Sequence, residues 1–178
     1  MIVYRHADRR FPFLWESADQ PPARWHGAGE GPVHYFSTTP DAAWAEFLRH
    51  EEITEPADLA GVERSLWAIE IDRPPRHRPR LPEETLLGGL DSYDACRAEA
   101  RRLRARRADG LIALSAAVDG RTASGFRTER GLRPAARRRE SVVVLFGRQP
   151  ALVGWAACDV GRPRRDLLAR VRPLATER

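Results

Sequence analysis

The sequence predicts an α+β fold, and three stretches carry the prediction. Val33-His34-Tyr35-Phe36-Ser37 and Ser141-Val142-Val143-Val144-Leu145-Phe146 are short, β-branched and aromatic, the composition of strands. The run from Pro40 to His50 instead places Ala43, Trp44, Phe47 and Leu48 at helical spacing, so that they form one apolar stripe. The 178 residues suit a single domain over 1–178. No internal repeat and no linker divides it.

Taken in order, Ile2 to Arg5 opens as a short strand, with Arg5-His6 at its end. Asp8 to Pro22 is a loop carrying Phe11, Pro12, Phe13 and Trp15, and apolar side chains in a loop imply packing over a core edge or a ligand. Val33 to Ser37 is the second strand. Thr39 offers its hydroxyl as a helix N-cap, Pro40 suits the first helical position, and Asp41 suits the positive end of the helix dipole. On that helix Glu46 and His50, one turn apart, run along one border of the apolar stripe, which places Glu46 at the rim of the core. Glu51 to Glu63 is acidic, with a short helix near Pro56 to Leu59. Ser65 to Asp72 alternates as a strand.

Arg73 to Pro82 is too rich in proline for regular structure and reads as a surface loop or a flexible basic flap. Ser92 can cap a helix from Tyr93 to about Arg107. Glu99, Arg102 and Arg106 would form solvated ion pairs on it, with Gly110 close enough to end it. Leu111 to Ala116 is a strand with Ser115 at its end, and Val118 to Arg139 a long polar, basic loop. Ser141 to Phe146 is a strand buried on both faces. Ala151 to Val160 is a final strand and Arg164 to Val171 a terminal helix.

The formal charge is +5, the sequence pI is about 10.1, and all 30 basic residues are arginine. The lack of lysine excludes a phosphate-loop lysine, a Schiff-base lysine and a lysine general base. The arginines are scattered among carboxylates, so the charge supports a nucleic-acid surface only weakly, and a GC-rich genome is the simpler cause. Cys96 and Cys158 make neither metal-ligand spacing nor a disulfide framework; both read as small core residues in a reducing cytoplasm. There is no signal-peptide pattern, and no apolar run nears the roughly 20 residues of a membrane helix, so the expectation is a cytoplasmic protein off the membrane. Patterns for a metal site, a Rossmann dinucleotide site and a serine-hydrolase elbow are absent.

Arg24, Tyr35 and Glu46 stand eleven residues apart, on a turn, a strand and a helix that form one compact unit. That unit suits an anionic substrate whose reaction builds positive charge. Each residue also has a plainer reading: arginine as a solvated surface group, Tyr35 as a core aromatic, Glu46 as an ion-pair partner. Ser115 has rivals in Ser37 and Ser124, and His26 and His50 fit structural hydrogen bonding better than ligand binding.

Tyr4-Arg5, Ala23-Arg24-Trp25-His26, Val33 to Ser37, Ala42 to His50 and Gly110 to Ser115 together resemble the RES-domain family, named for an arginine, a glutamate and a serine. The likeness runs from Tyr4 to about Phe146, inside a motif-bearing part at 2–147, with a strand and helix at 151–172 beyond it. This chain has His26 where the family's Gly-Arg-Trp-Asn turn has asparagine and Ala23 where it has glycine. His6 follows Arg5 where some members have tyrosine.

The resemblance implies an ADP-ribosyltransferase-like fold, a mixed β-sheet split around an NAD cleft and flanked by helices. It implies an NAD-consuming enzyme that cleaves the nicotinamide–ribose bond by phosphorolysis or hydrolysis, with transfer of ADP-ribose to a protein as the alternative. It further implies a bacterial toxin neutralised by an Xre-type helix-turn-helix antitoxin, through which alone nucleic acid would enter. NAD is the substrate, inorganic phosphate the co-substrate of a phosphorylase, and neither a permanently bound cofactor nor a metal is expected. Assembly as a homo-oligomer stays open. A reading from a different class is an arginine-rich module that binds nucleic acid through Arg73–Arg80 and Arg121–Arg139, although those runs lack interleaved aromatics.

On the enzyme reading Glu46, Arg5 and Tyr35 are catalytic, and Arg24, His6, Trp25, His26 and Ser115 bind substrate. Cleavage expels neutral nicotinamide and leaves an oxocarbenium-like ribose. Arg5 and Arg24 each offer a planar fork of donors to the diphosphate or to inorganic phosphate. Tyr35 covers the nicotinamide face and orients a ribose or phosphate group with its hydroxyl. Glu46 stabilises the developing charge, the more strongly at the rim of the core, where the dielectric is lower. Ser115 fixes the carboxamide or a ribose hydroxyl.

Overall fold

Strands β1 (Ile2–Asp8), β2 (Val33–Ser37), β3 (Arg64–Glu70), β4 (Gly110–Leu114), β7 (Ser141–Phe146) and β8 (Val153–Gly161) build one sheet in the order β4-β7-β2-β1-β3-β8. Two short strands, β5 (Phe126–Arg127) and β6 (Arg133–Pro134), pair with each other. This is a computed structural model, and it describes residues 1–14, 16–17, 19–120, 123 and 125–174. Trp15, Arg121 and Ser124 lie outside the described residues.

The sheet is divided. β1 runs in register with β3 from Ile2 opposite Glu70 to Asp8 opposite Arg64. Between β1 and β2 the register is Tyr4 opposite Ser37 alone. Beyond that point the strands part, leaving a β4-β7-β2 half and a β1-β3-β8 half. The α+β class and the split are as expected, but each pairing in the sheet is antiparallel, where the resemblance implied a mixed sheet. The reason is topological. The helical crossovers link β2 to β3 and β3 to β4, which run the same way, but in each case antiparallel strands lie between them.

Helix α1 (Pro40–His50) starts at Thr39, whose Oγ1 accepts the Ala42 N–H at 3.2 Å. Its apolar stripe, Ala43, Trp44, Phe47 and Leu48, packs on Leu66, Leu59 and Leu167, with Tyr4 against it. Helix α2 (Glu83–Leu87) precedes α3 (Tyr93–Ala105), which lays Cys96, Ala100 and Leu103 on Leu111, Ala113, Val142 and Val144. The opposite face of the sheet buries Val3, Phe36, Ile69, Val143 and Leu145, with Phe13 and Leu14 of the first loop beside them.

Several expectations are corrected. β1 continues to Asp8, and α2 was not foreseen. The short helix near Pro56 is a 3₁₀ turn, Asp58–Gly61. The terminal helix is a 3₁₀ stretch, Arg165–Arg170, because its end is drawn into pairing with the segment after β4: Asp119 N–H donates to the Arg170 carbonyl and Arg172 N–H to that of Ala117. Ser92 does not cap α3; its hydroxyl donates to the Gly89 carbonyl and accepts from Arg24. Glu99 is buried rather than solvated, because it accepts from Arg102 twice and from the Arg80 N–H. Cys158 is exposed, since β8 is an edge strand with little laid over it.

The Arg73 to Pro82 segment is a strap rather than a free flap. The Ile112 N–H donates to the His77 carbonyl, so the strap caps the open edge of β4. Gly110 does not end α3, which closes earlier with Arg107 at a φ of 60°. It opens β4 instead, where a Cβ would collide with the Val144 carbonyl oxygen.

Candidate active site

A cavity of about 480 Å³ opens where β1 and β2 part. Successive residues of a strand face opposite ways, yet Tyr4, Arg5 and His6 all reach this cavity. The gap in the sheet makes that geometry available. α1 contributes Glu46, Arg49 and His50, β2 contributes Tyr35, Phe36 and Ser37, and the first loop contributes Phe11, Pro12 and Phe13.

Glu46 sits on the α1 border, with its side chain 24% exposed. Ser115 Oγ donates to its Oε1 at 3.0 Å, and His50 Nε2 lies 3.8 Å from its Oε2. Ser115 itself is buried just past β4 and accepts the Ala117 N–H at 3.2 Å. Its neighbours Leu114 and Ala116 line the cavity and Ser115 does not. The buried serine orients the carboxylate through this hydrogen bond and lines a second, smaller recess beside Glu140. Its rival Ser37 does line the cavity, at the seam opposite Tyr4.

Four guanidinium groups, Arg5, Arg24, Arg49 and Arg64, line the cavity, and among the described residues none has a carboxylate partner within 4 Å. Of the two carboxylates on the wall, Asp8 is held by Arg10 through two hydrogen bonds, which keep its carboxyl well below the usual range. Arg5 Nη1 is shielded from solvent and has no hydrogen-bond partner; its guanidinium lies 6.0 Å from the Phe36 ring, and burial lowers its pKa. Arg49 gives Nη2 to the Gly88 carbonyl at 2.9 Å and leaves a buried Nε without a partner. Burial, then the neighbouring Arg24, push its pKa down.

Arg24 behaves differently. It donates to Ser92 Oγ at 2.9 Å and to the Gly88 carbonyl at 2.6 Å, and its guanidinium lies 4.7 Å from the Tyr93 ring. Its fork clamps the turn between α2 and α3.

The Tyr35 hydroxyl is likewise committed. It accepts the Trp25 N–H at 3.0 Å and lies 2.8 Å from His26 Nδ1. His26 Nε2 is 2.9 Å from the Pro21 carbonyl, which can only accept, so Nε2 carries the proton and Nδ1 accepts from the phenol. Burial lowers the His26 pKa and raises that of Tyr35 well above the usual phenol value. His26, fully buried, does not reach the cavity, and Trp25 forms part of its wall.

A model of the RES domain matches residues 2–158. The chain belongs to the RES-domain family. No curated protein matches the sequence. Among solved structures, this RES domain resembles a chain of the M. tuberculosis MbcT–MbcA toxin–antitoxin complex. The TM-score is 0.58 at 14% identity, over 89% of this chain and 84% of that one, a likeness of fold.

In this RES domain the sequence-predicted Arg5, His6, Arg24, Trp25, Tyr35 and Glu46 gather on one cavity, whereas His26 and Ser115 stand behind it. Sequence reasoning missed Arg49, Arg64 and Tyr93. Arg49 had a signal, three residues beyond Glu46 and so on a neighbouring face of α1. Arg64 and Tyr93 had none, because only strand register and helix docking bring them in.

Proposed function

We propose that this RES domain consumes NAD by breaking the bond between nicotinamide and ribose, transferring the ribosyl group to phosphate or water. The observation that carries the reading is the set of four cavity-lining guanidinium groups with no carboxylate partner among the described residues, on one wall with Glu46, the cavity carboxylate that no arginine holds. Shielding an unpaired guanidinium from water costs several kcal/mol unless a counter-charge arrives. A ligand with two phosphate charges supplies it. In the reaction the electron pair of the C1′–N bond leaves with nicotinamide, which departs neutral. Glu46 stabilises the resulting cationic ribose, and an oxygen of phosphate, or of water that gives up a proton to solvent, forms the new bond to C1′.

Tyr35 acts on this reading through its ring, as cavity wall, since its hydroxyl holds the Trp25-His26 turn. Arg5 Nη1 and Arg49 Nε are buried donors without partners, left for the ligand. The biological role we assign is that of a toxin acting on the cytoplasmic NAD pool and held in check by an antitoxin, of which an Xre-type protein is the expected kind. The known toxin–antitoxin complex of similar fold supports that assignment.

The test is nicotinamide release from NAD by the purified protein, with and without inorganic phosphate. Stimulation by phosphate identifies phosphorolysis, and equal rates identify hydrolysis. ADP-ribose adducts on protein would reassign the activity to transfer. No nicotinamide release, with tight salt-dependent binding of nucleic acid, would replace the proposal.

A further inference from the structure

His6 follows Arg5 on β1 but faces α1, where its ring packs on Trp44 (centroids 6.4 Å apart, planes at 15°) and edge-on against Phe47 (5.1 Å, 65°). Arg64 Nε lies 3.1 Å from its Nδ1. An arginine Nε bears a hydrogen and cannot accept, so Nδ1 is the bare nitrogen and Nε2 carries the ring proton. Three groups act electrostatically on the ring: Arg64 from β3, Arg5 from β1 and His50 from α1. They oppose a second proton, and burial opposes it more, taking the His6 pKa down to about 3.

His6 lines the cavity, and among the described residues nothing accepts from its Nε2. The ring packs on Phe47, the neighbour of Glu46 on α1, and His50, 3.8 Å from Glu46 Oε2, lines the same cavity. The unmatched donor therefore belongs to the Glu46 end of the cavity, where bond cleavage is placed above.

We propose that Arg64 locks His6 as a neutral Nε2–H donor, and that this donor binds an oxygen acceptor on the nicotinamide-riboside half of the substrate. The choice of ligand rests on the function proposed above; the tautomer does not. Arg64 is a positioning residue that acts through His6.

Two measurements test this separately. In the ligand-free protein, nitrogen-15 NMR of the histidine rings should show His6 as the Nε2–H tautomer from pH 8 to pH 5. Arg64→Met should release it into a mixture or let it titrate. An Nδ1–H tautomer, or protonation near pH 6.5 in the unaltered protein, overturns the lock. For the ligand, His6→Leu should lower kcat/KM for NAD about tenfold, the scale of one hydrogen bond. His6→Gln, which returns an amide donor near the position of Nε2, should restore most of it.

The penalty of His6→Leu should fall below twofold on one analogue. A dinucleotide whose pyridine lacks the carboxamide identifies the carboxamide oxygen as the acceptor, and a 2′-deoxy analogue identifies the ribose hydroxyl. An equal penalty on both analogues, or no rescue by His6→Gln, overturns the assignment. If the unaltered protein cleaves no NAD, the proposed function and the ligand assignment fail together, and the NMR result stands on its own.

Discussion

The β4-β7-β2 half of the sheet is packed as a core. β7 is buried along Val142 to Leu145, α3 covers one face, and apolar side chains fill the other. The β1-β3-β8 half ends in β8, exposed along most of its nine residues, with Trp155 62% exposed. From this looser half come Arg5, His6 and Arg64, which all lack a carboxylate partner among the described residues, while the tighter half supplies β2 with its Tyr35 and the buried support of Ser115. One half holds geometry, and the other brings Arg5 and Arg64, two of the four cavity guanidinium groups, to the seam. On the function proposed, that contrast sets a supporting half beside a ligand-binding half within a single sheet.

The strongest way to sharpen that contrast is Glu46→Gln, which keeps the size of the side chain and removes its charge. Nicotinamide release should fall roughly 100- to 1000-fold, with a melting temperature within a few degrees of the unaltered protein. Comparable release by the variant would remove Glu46 from the chemistry.

Leu111→Ala probes the packed half, where the residue is fully buried under α3. It should cost about 2–5 kcal/mol in urea unfolding. A loss under about 1 kcal/mol would mean that this half is not the rigid one.

Arg5→Met should do the reverse at the seam. Removing a shielded, unpaired cation should raise stability by about 1 kcal/mol, a rise of about 2–4 °C in Tm for a chain of this size, while NAD turnover is lost. A fall in Tm would show that Arg5 is already compensated in the free protein.

Acid tests both halves together. His6, His26 and His34 all have lowered pKa values, chiefly through burial. In the unfolded chain they would titrate near 6.5. Below that pH the unfolded state binds protons that the folded state refuses, so their stabilisation is present above about 6.5 and lost as pH falls, for His6 down to about 3. The loss should be on the order of 1 kcal/mol per histidine per pH unit, seen as a lower urea midpoint at pH 5.5 than at pH 7. Equal midpoints would refute the buried neutral state.

The smallest effect belongs to the exposed edge: Trp155→Ser should change stability by no more than about 0.5 kcal/mol. A larger loss would mean that β8 is covered in solution.

Short-range pattern was enough for much of this. The bounds of β2, α1 and β7, the Thr39 cap and the rim position of Glu46 all follow from neighbours within a turn or a few strand residues. The errors cluster where a distant partner intervenes. Ser92 reads locally as a cap and is engaged by Arg24, 68 residues away. Glu99 reads as solvated and is enclosed by the strap at Arg80.

The same holds for the cavity. The sequence alone determined which residues could carry anion binding and charge stabilisation, because side-chain chemistry and spacing of eleven along a turn, strand and helix are local properties. Only the tertiary structure decided which of those groups remain available. The two Arg24 Nη groups go to Ser92 and the Gly88 carbonyl and the Tyr35 hydroxyl to Trp25 and His26, while Arg49 and Arg64 arrive unforeseen. A hydrogen bond is short and directional, and the partners of Arg24 stand 61 to 72 residues away along the chain, beyond the reach of local pattern.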